Sequence, residues 1–261
     1  MRTATVMPVL FIGHGSPMNA IEDNAYHRSW RALGQRLPRP RAVLCVSAHW
    51  ETRGVYVTGA DAPETIHDFY GFPAALFQVR YPAPGDPALA RRMVGLSQEF
   101  HLHVDPGRGL DHGAWSVLRA MYPEADVPVL QLSLDVRLSG PEHYRLAAVL
   151  APLREEGVLI LASGNIVHNL ALFRFHSHEQ LAWAWRFRTE VNALIEQRDH
   201  AALCHYENLG PDAALAIPTP EHYLPLLYAL ALQREGEPVE TFNDEVISAL
   251  SMTSLAIGLD S

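Results

Sequence analysis

Residues 157–163 read GVLILAS, a short run of apolar and β-branched residues with a glycine before it and polar residues after it. Three further runs share the pattern: VLFIG (9–13), AVLCVSA (42–48) and VPVLQLS (127–133). They are continuous rather than alternating, as expected of strands buried on both faces under helices. The intervening segments carry helical character: 24–37, 86–100, 114–122, 141–157, 179–198 and 220–233. Pro141 stands where a first-turn proline belongs, and Gly157 stops that helix before the next strand. GVYVTGA (54–60) reads as an extra strand near an edge, and SALSMTSLAIG (248–258) as a last strand. Strands alternating with helices predict an α/β fold, a three-layer sandwich whose central sheet is mostly parallel or mixed.

The chain has 261 residues, enough for one large domain, and no linker, repeat or low-complexity segment divides it; a single catalytic domain over 1–261 is expected. All 20 basic residues are arginine and the net charge is −9, which argues against a nucleic-acid or anionic-membrane surface. The absence of lysine removes Schiff-base chemistry and a P-loop. No apolar run is long enough to span a bilayer, and no signal-peptide pattern opens the chain. The two cysteines, Cys45 and Cys204, lack metal-type spacing and fit a reducing, cytoplasmic setting. The sequence leaves the oligomeric state open.

Histidine is in excess, with 14 residues. The first strand ends in Gly13-His14-Gly15, the second runs into His49, and the 157–163 strand reaches His168 within a few residues. Ligands gather at the carboxyl ends of strands in open α/β sheets, so these rings are expected to converge. His222, in PTPEHYLP, and His112, in LDHGAW, each precede a helix. Neutral imidazole is a common ligand for iron, zinc, copper and nickel, and glycines beside His14 let the backbone turn to aim the ring. Ser16 and Ser163 raise a serine nucleophile, but neither sits in G-x-S-x-G. His101 and His103 alternate as a solvent-facing strand would, while His27, His143, His176, His178, His200 and His205 lie on helical or polar segments and need no function. Trp183 and Trp185 read as core or interface.

The segments GHGSPMN, VSAHW, TIHDFYGFP, YPAPGDP, GLDHGAW, MYPEADVPVLQLS, SGNIVHNL and TPEHYLPL occur in this order from about residue 8 onward. Together they resemble the DOPA 4,5-dioxygenase (extradiol) proteins, class III ring-cleaving dioxygenases distantly related to the catalytic subunit of protocatechuate 4,5-dioxygenase. The resemblance implies a non-haem Fe(II) enzyme that opens a small, DOPA-like catechol with O2. The expected product is a muconic semialdehyde able to cyclise to a yellow, betalamic-type pigment. His14 and His49 match two metal-ligating histidines, and His222 matches the third position of the DOPA-type branch. The protocatechuate enzyme has a glutamate there, and Glu221 is the competing candidate. His168 matches the acid/base and is a fourth candidate ligand when Zn(II) fills the site. His112 matches a second histidine near the substrate. His67 and Tyr70, in TIHDFYGFP, are candidates to line the substrate pocket. A zinc hydrolase using the same histidines and a non-catalytic metal-binding protein are the alternatives.

Overall fold

The computed structural model describes residues 6–174 and 181–259. Strand β1 (Val9–Gly13) leads through a 3-10 turn at Pro17–Ala20 to α1 (Ala25–Arg36), β2 (Ala42–Thr52) and β3 (Val55–Thr58). Next come α2 (Ala74–Phe77), α3 (Pro87–Val94), β4 (Leu102–Asp105), α4 (His112–Met121) and β5 (Val129–Asp135). They are followed by α5 (Gly140–Ala148), α6 (Ala151–Glu155), β6 (Val158–Gly164), α7 (Ala182–Glu196), α8 (His200–Cys204), α9 (Ala213–Ala216) and α10 (Leu224–Ala231). Last are β7 (Val239–Phe242), β8 (Val246–Ile247), β9 (Leu250–Ser251) and β10 (Ser254–Ile257).

Eight strands form one sheet in the order β4-β3-β5-β2-β6-β1-β10-β7. The centre is parallel: β2 pairs with β5 and β6, and β6 pairs with β1. The edges supply the antiparallel contacts, β3 on β5 at one side and β1-β10-β7 at the other. The sheet is therefore mixed, as the sequence pattern allows.

Alternate residues of each central strand serve different layers. Val9 and Phe11 of β1 join Leu44, Val46, Ile160 and Ala162 under Leu146, Phe187 and Leu227 of the helices on one face. Leu10 and Ile12 join Val43, Cys45, Leu159 and Leu161 under Trp30, Leu33, Trp115 and Leu118 on the other. This two-sided burial is why the strand sequences are continuous in hydrophobicity. Each such Leu, Ile, Val or Phe is worth roughly 1.5–3 kcal/mol relative to leaving it exposed.

Several boundaries differ from the sequence expectation for local reasons. The 141–157 helix splits into α5 and α6, because Pro152 lacks an N–H and crowds the carbonyl four residues before it, that of Ala148 at the end of α5. The 86–100 helix stops at Val94, capped at Gly95. The 220–233 helix begins only at Leu224, and the tail is two strands with Met252 and Thr253 between them. Of the 179–198 segment, residues 179 and 180 lie outside the described residues, and α7 begins at Ala182. The expected edge strand at 54–60 is β3, pairing on one side with β4, whose sequence is LHVD.

Two buried polar groups tie neighbouring segments together. Arg154, fully buried, donates to the carbonyls of Met7 (2.7 Å) and Leu232 (2.5 Å) and pairs with Glu237, joining α6 to both ends of the chain. His143 on α5 is also fully buried, with Nδ1 2.9 Å from the Tyr228 hydroxyl on α10. Burial pulls its pKa down to about 4, outweighing the opposing influence of Asp135.

His143 is thus neutral when folded and protonates near pH 6.5 when unfolded, so the unfolded chain binds more protons between pH 4 and 6.5 and stability falls as pH drops through that window. Moving from pH 7 to pH 5 is expected to cost about 2 kcal/mol through this group alone. Urea unfolding of wild type and His143→Gln at both pH values measures it; an equal pH slope in the two proteins would remove His143 as a source.

Candidate metal centre

The adjacency of β2, β6 and β1 brings the histidines together. His14 follows β1 directly, and its backbone N–H donates to Gly164 at the end of β6 (3.2 Å). Gly15 then turns the chain at φ +59°, a conformation that disfavours side chains. His49 owes its position to an irregularity in β2. Pairing with β5 proceeds to Val46–Leu132 and resumes at Glu51–Leu134, so five steps of β2 oppose two of β5. Such bulges bend a strand and re-aim its side chains. His112 is the first residue of α4, after the N-cap Asp111, whose buried carboxylate accepts from Ser47 Oγ (2.7 Å) and Gln131 Nε2 (2.7 Å).

The remaining two rings arrive on loops. Asn165 N–H donates to the His222 carbonyl at 2.7 Å, and a Cβ on Gly164 would stand 2.1 Å from that same oxygen. Only glycine at 164 lets the His222 loop close onto β6. His168 N–H donates to Ala216 (2.9 Å), and a β-bridge pairs His168 with Leu250.

Five imidazoles form one cluster. Nε2 of His14 and Nε2 of His49 face each other at 3.1 Å. His49 and His112 have ring centroids 3.9 Å apart, and His168 lies flat on His222 at 3.4 Å with 6° between planes. His222 is 5.5 Å from His14 and 5.0 Å from His49, centroid to centroid. Two sets of closely spaced donor atoms result: His14, His49 and His112 in one, His168, Glu221 and His222 in the other.

The outer nitrogens are occupied. Ser163 Oγ donates to the Gly113 carbonyl at 2.6 Å, so towards His14 Nδ1, 3.0 Å away, it can only accept. His14 is therefore the Nδ1–H tautomer, with its Nε2 lone pair in the cluster. His222 Nδ1 lies 3.0 Å from Glu221 Oε1, which also accepts from Thr219 Oγ1. His49 Nδ1 lies 3.5 Å from Asp68 Oδ2. Partners of this kind are what fix the ring and tautomer of a metal-binding histidine.

Burial, followed by the neighbouring imidazoles, holds His14 and His222 well below the ordinary histidine pKa. His49 is brought down to about 3, first by burial and then by His112, with Asp68 opposing. His168 is brought down to about 4 by burial, with Glu221 opposing. At neutral pH all four are neutral donors.

The other candidates fall elsewhere. His67 Nε2 faces the Val79 carbonyl at 3.0 Å, and its ring packs with Phe69, Phe77 and Trp115 outside the cluster. The Tyr70 side chain is exposed. The polar residue of that loop that reaches the imidazoles is Asp68, between the two; its sequence signal was a carboxylate flanked by those two residues. Ser163 belongs to the site as a contact of His14, and Ser16 caps the turn at Met18. His101, His103 and His205 are exposed, and Trp183 and Trp185 pack against the core. His176 and His178 lie outside the described residues.

Residues 8–257 match the family described as the catalytic LigB subunit of aromatic ring-opening dioxygenase. The chain belongs to this family. A 4,5-DOPA dioxygenase extradiol of Escherichia coli K12 is 46% identical, covering 98% of this chain and 96% of its own length. That of Beta vulgaris is 40% identical over 92% and 91%. A crystal structure of an uncharacterized protein from Escherichia coli K12 superposes with a TM-score of 0.84 at 43% identity, covering 97% of this chain and all of that one. This LigB-family chain is thus a metal-dependent ring-opening dioxygenase, an enzyme rather than a non-catalytic binder. No helix among the described residues is long and apolar enough to cross a membrane.

The residues fit a divalent cation. The Nε2 lone pair of His14 points at His49 Nε2 3.1 Å away, and when His49 too carries its proton on Nδ1 a cation between the rings would satisfy both lone pairs. His222 Nε2 is buried without a hydrogen-bond partner among the described residues. Neutral imidazoles suit Fe(II) and Zn(II) alike.

Protons compete weakly for donors with such low pKa values, so metal affinity should stay nearly level from pH 7 to pH 5.5. Titration of chelator-treated protein with Zn(II) at each pH checks this; a steep loss centred near pH 6.5 would show that the rings titrate as ordinary histidines.

Proposed function

We propose that this enzyme is an extradiol dioxygenase that opens a small, DOPA-like catechol with O2, with Fe(II) as its working metal and His14, His49 and His222 as the ligands. The observation that carries the reading is the meeting of His14 and His49 through Nε2 beside the unpartnered Nε2 of His222. Three imidazole ligands would leave positions on the ion free for the two catechol oxygens and for O2. Bound Fe(II) would supply that chelation and the reactivity toward O2; Zn(II), which the same donors suit, has no redox chemistry to offer.

His168 is the acid/base in this reading. Stacked on His222 and neutral at pH 7, it can take a proton from a catechol hydroxyl and return it as the ring opens. Glu221 sits beside both rings, bonded to His222 rather than replacing it, and its negative charge favours the protonated state of His168. His112, on the far side of His49, stands near the substrate's other oxygen. In the 65–73 loop, His67 supports the loop by packing, and the exposed Tyr70 is proposed to meet the substrate only if the loop brings it over the site.

The continuous sheet supports one catalytic domain over 1–261. The buried, unpaired Cys45 and Cys204 support a cytoplasmic setting, and the net charge of −9 supports action without nucleic acid.

Anaerobic loading with Fe(II), followed by O2 and a panel of catechols, should yield ring-opened, yellow semialdehyde products, and Zn(II)-loaded protein should yield none. Equal turnover with Zn(II), or none with Fe(II) fully bound, would overturn the reading. His14→Ala, His49→Ala and His222→Ala should each lose bound metal by elemental analysis; full occupancy in His222→Ala takes it out of the ligand set. His168→Ala should keep its Fe(II) and lose about 10²–10⁴-fold in kcat, the usual worth of a general acid/base. Unchanged turnover in that variant would sink the role.

A further inference from the structure

Asp68 faces two rings of the cluster at once. Its Oδ1 accepts the backbone N–H of His112 (3.0 Å) and lies 3.0 Å from His112 Nδ1, while Oδ2 lies 3.5 Å from His49 Nδ1. The His112 ring contact is short but too bent for a good hydrogen bond, so it acts as a charge–dipole contact. An ionised carboxylate offers only acceptor sites. A bare ring nitrogen at 3.0 Å would set lone pair against lone pair, whereas an N–H there is attracted.

The carboxylate is also held in place. The Ile66 N–H donates to Leu110 and the Leu110 N–H to Glu64, each at 2.7 Å, and Trp115 Nε1 donates to Ile66 at 2.8 Å. These bonds fasten the loop to the start of α4. Phe69, the next residue, packs edge-on against the His112 ring at 5.6 Å. The Asp68 side chain is 21% exposed, so water screens it little.

We propose that Asp68 is a positioning residue that fixes both His49 and His112 as Nδ1–H tautomers, turning both Nε2 lone pairs toward the site. The catalytic consequence rests on the dioxygenase reading above. His49 then presents a lone pair to the metal, and His112 presents an acceptor to a substrate hydroxyl rather than a second N–H. One carboxylate thus sets the proton inventory of a ligand and of a substrate-facing group together. An asparagine cannot do this, because its amide offers one acceptor and one donor end, and one of the two rings must move its proton to Nε2.

The test has two arms. On Zn(II)-loaded protein with 15N-labelled histidine, NMR reads which ring nitrogen carries the proton. Wild type should show Nδ1–H for both His49 and His112, and Asp68→Asn should show Nε2–H for at least one. Nε2–H on either ring in wild type, or unchanged tautomers in Asp68→Asn, overturns the proposal, and the wild-type spectrum decides even if the variant fails to fold. On Fe(II)-loaded protein, Asp68→Asn should lose about 10–100-fold in kcat, the range for outer partners of metal-site histidines, with KM little changed. Asp68→Glu, acceptor-only on a longer stem, should recover part of the loss; a glutamate variant no better than the asparagine one counts against the acceptor role. Absence of catechol turnover in Fe(II)-loaded wild type would count against the dioxygenase reading alone, since the tautomers are read with Zn(II) and without substrate.

Discussion

Two imidazole nitrogens meeting at 3.1 Å in a buried pocket set the condition that the rest of the structure satisfies. Ser163 fixes the proton of His14 on the outer nitrogen, and Asp68 faces the outer nitrogen of His49. With the proton of His49 on that outer nitrogen, as proposed, the two inner lone pairs need a positive charge between them. Protons serve poorly. Two imidazolium charges at that separation repel by about 5 kcal/mol even at an effective dielectric constant of 20. Burial adds a desolvation cost for each, which is why the His14 and His49 pKa values fall. A divalent cation satisfies both lone pairs without either ring being charged.

Meeting that condition takes parts of the chain that are far apart in sequence but adjacent in the sheet. The parallel β2, β6 and β1 supply the shared edge. The β2 bulge swings His49 towards His14, and Gly164 admits the His222 backbone to within reach of β6. The antiparallel β10 closes the other side of β1, where the Ser254 hydroxyl accepts from Gly13 N–H. The scaffold is correspondingly stiff there: the residues of β1, β5 and β6 are all buried, and their hydrophobic side chains alternate between two packed layers. Rings held by such a frame need little reordering when a ligand arrives.

The sheet and its helices were legible because two-sided burial leaves a plain mark, as in VLFIG and GVLILAS. The clustering of His14, His49 and His168 was legible because strand ends in a parallel sheet share one edge. What escaped the sequence depends on long-range pairing. Nothing near Ser163 shows that its hydroxyl meets a ring 149 positions away, and nothing in VSAHW shows that β2 slips three residues against β5. Asp68 was passed over for a related reason. In TIHDFYGFP, a histidine and a tyrosine look more like chemistry than an aspartate does. Yet the loop bonds to Leu110 and Trp115 turn the aspartate inward, leaving His67 in an aromatic packing cluster and Tyr70 in solvent.

In the proposed ligand set, the pair Glu221-His222 would let a carboxylate serve a metal site without ligating it. Glu221 bonds to Nδ1 of its neighbour, so its charge is felt through the imidazole while His222 Nε2 stays clear. With His222 as the third donor, as proposed, all three ligands would be neutral and a bound cation would keep its full double charge toward the substrate. A direct glutamate ligand would cancel half of it. A catechol must lose protons to chelate, and a more positive centre would lower the cost of that ionisation. The same arrangement leaves Glu221 close enough to His168 to favour its protonated form, opposing the burial that favours the neutral one. In the proposed reading, Glu221 would therefore act on both halves of one proton transfer: kept off the ion, it would leave the centre more positive and the hydroxyl proton easier to lose, and its charge would steady that proton on His168.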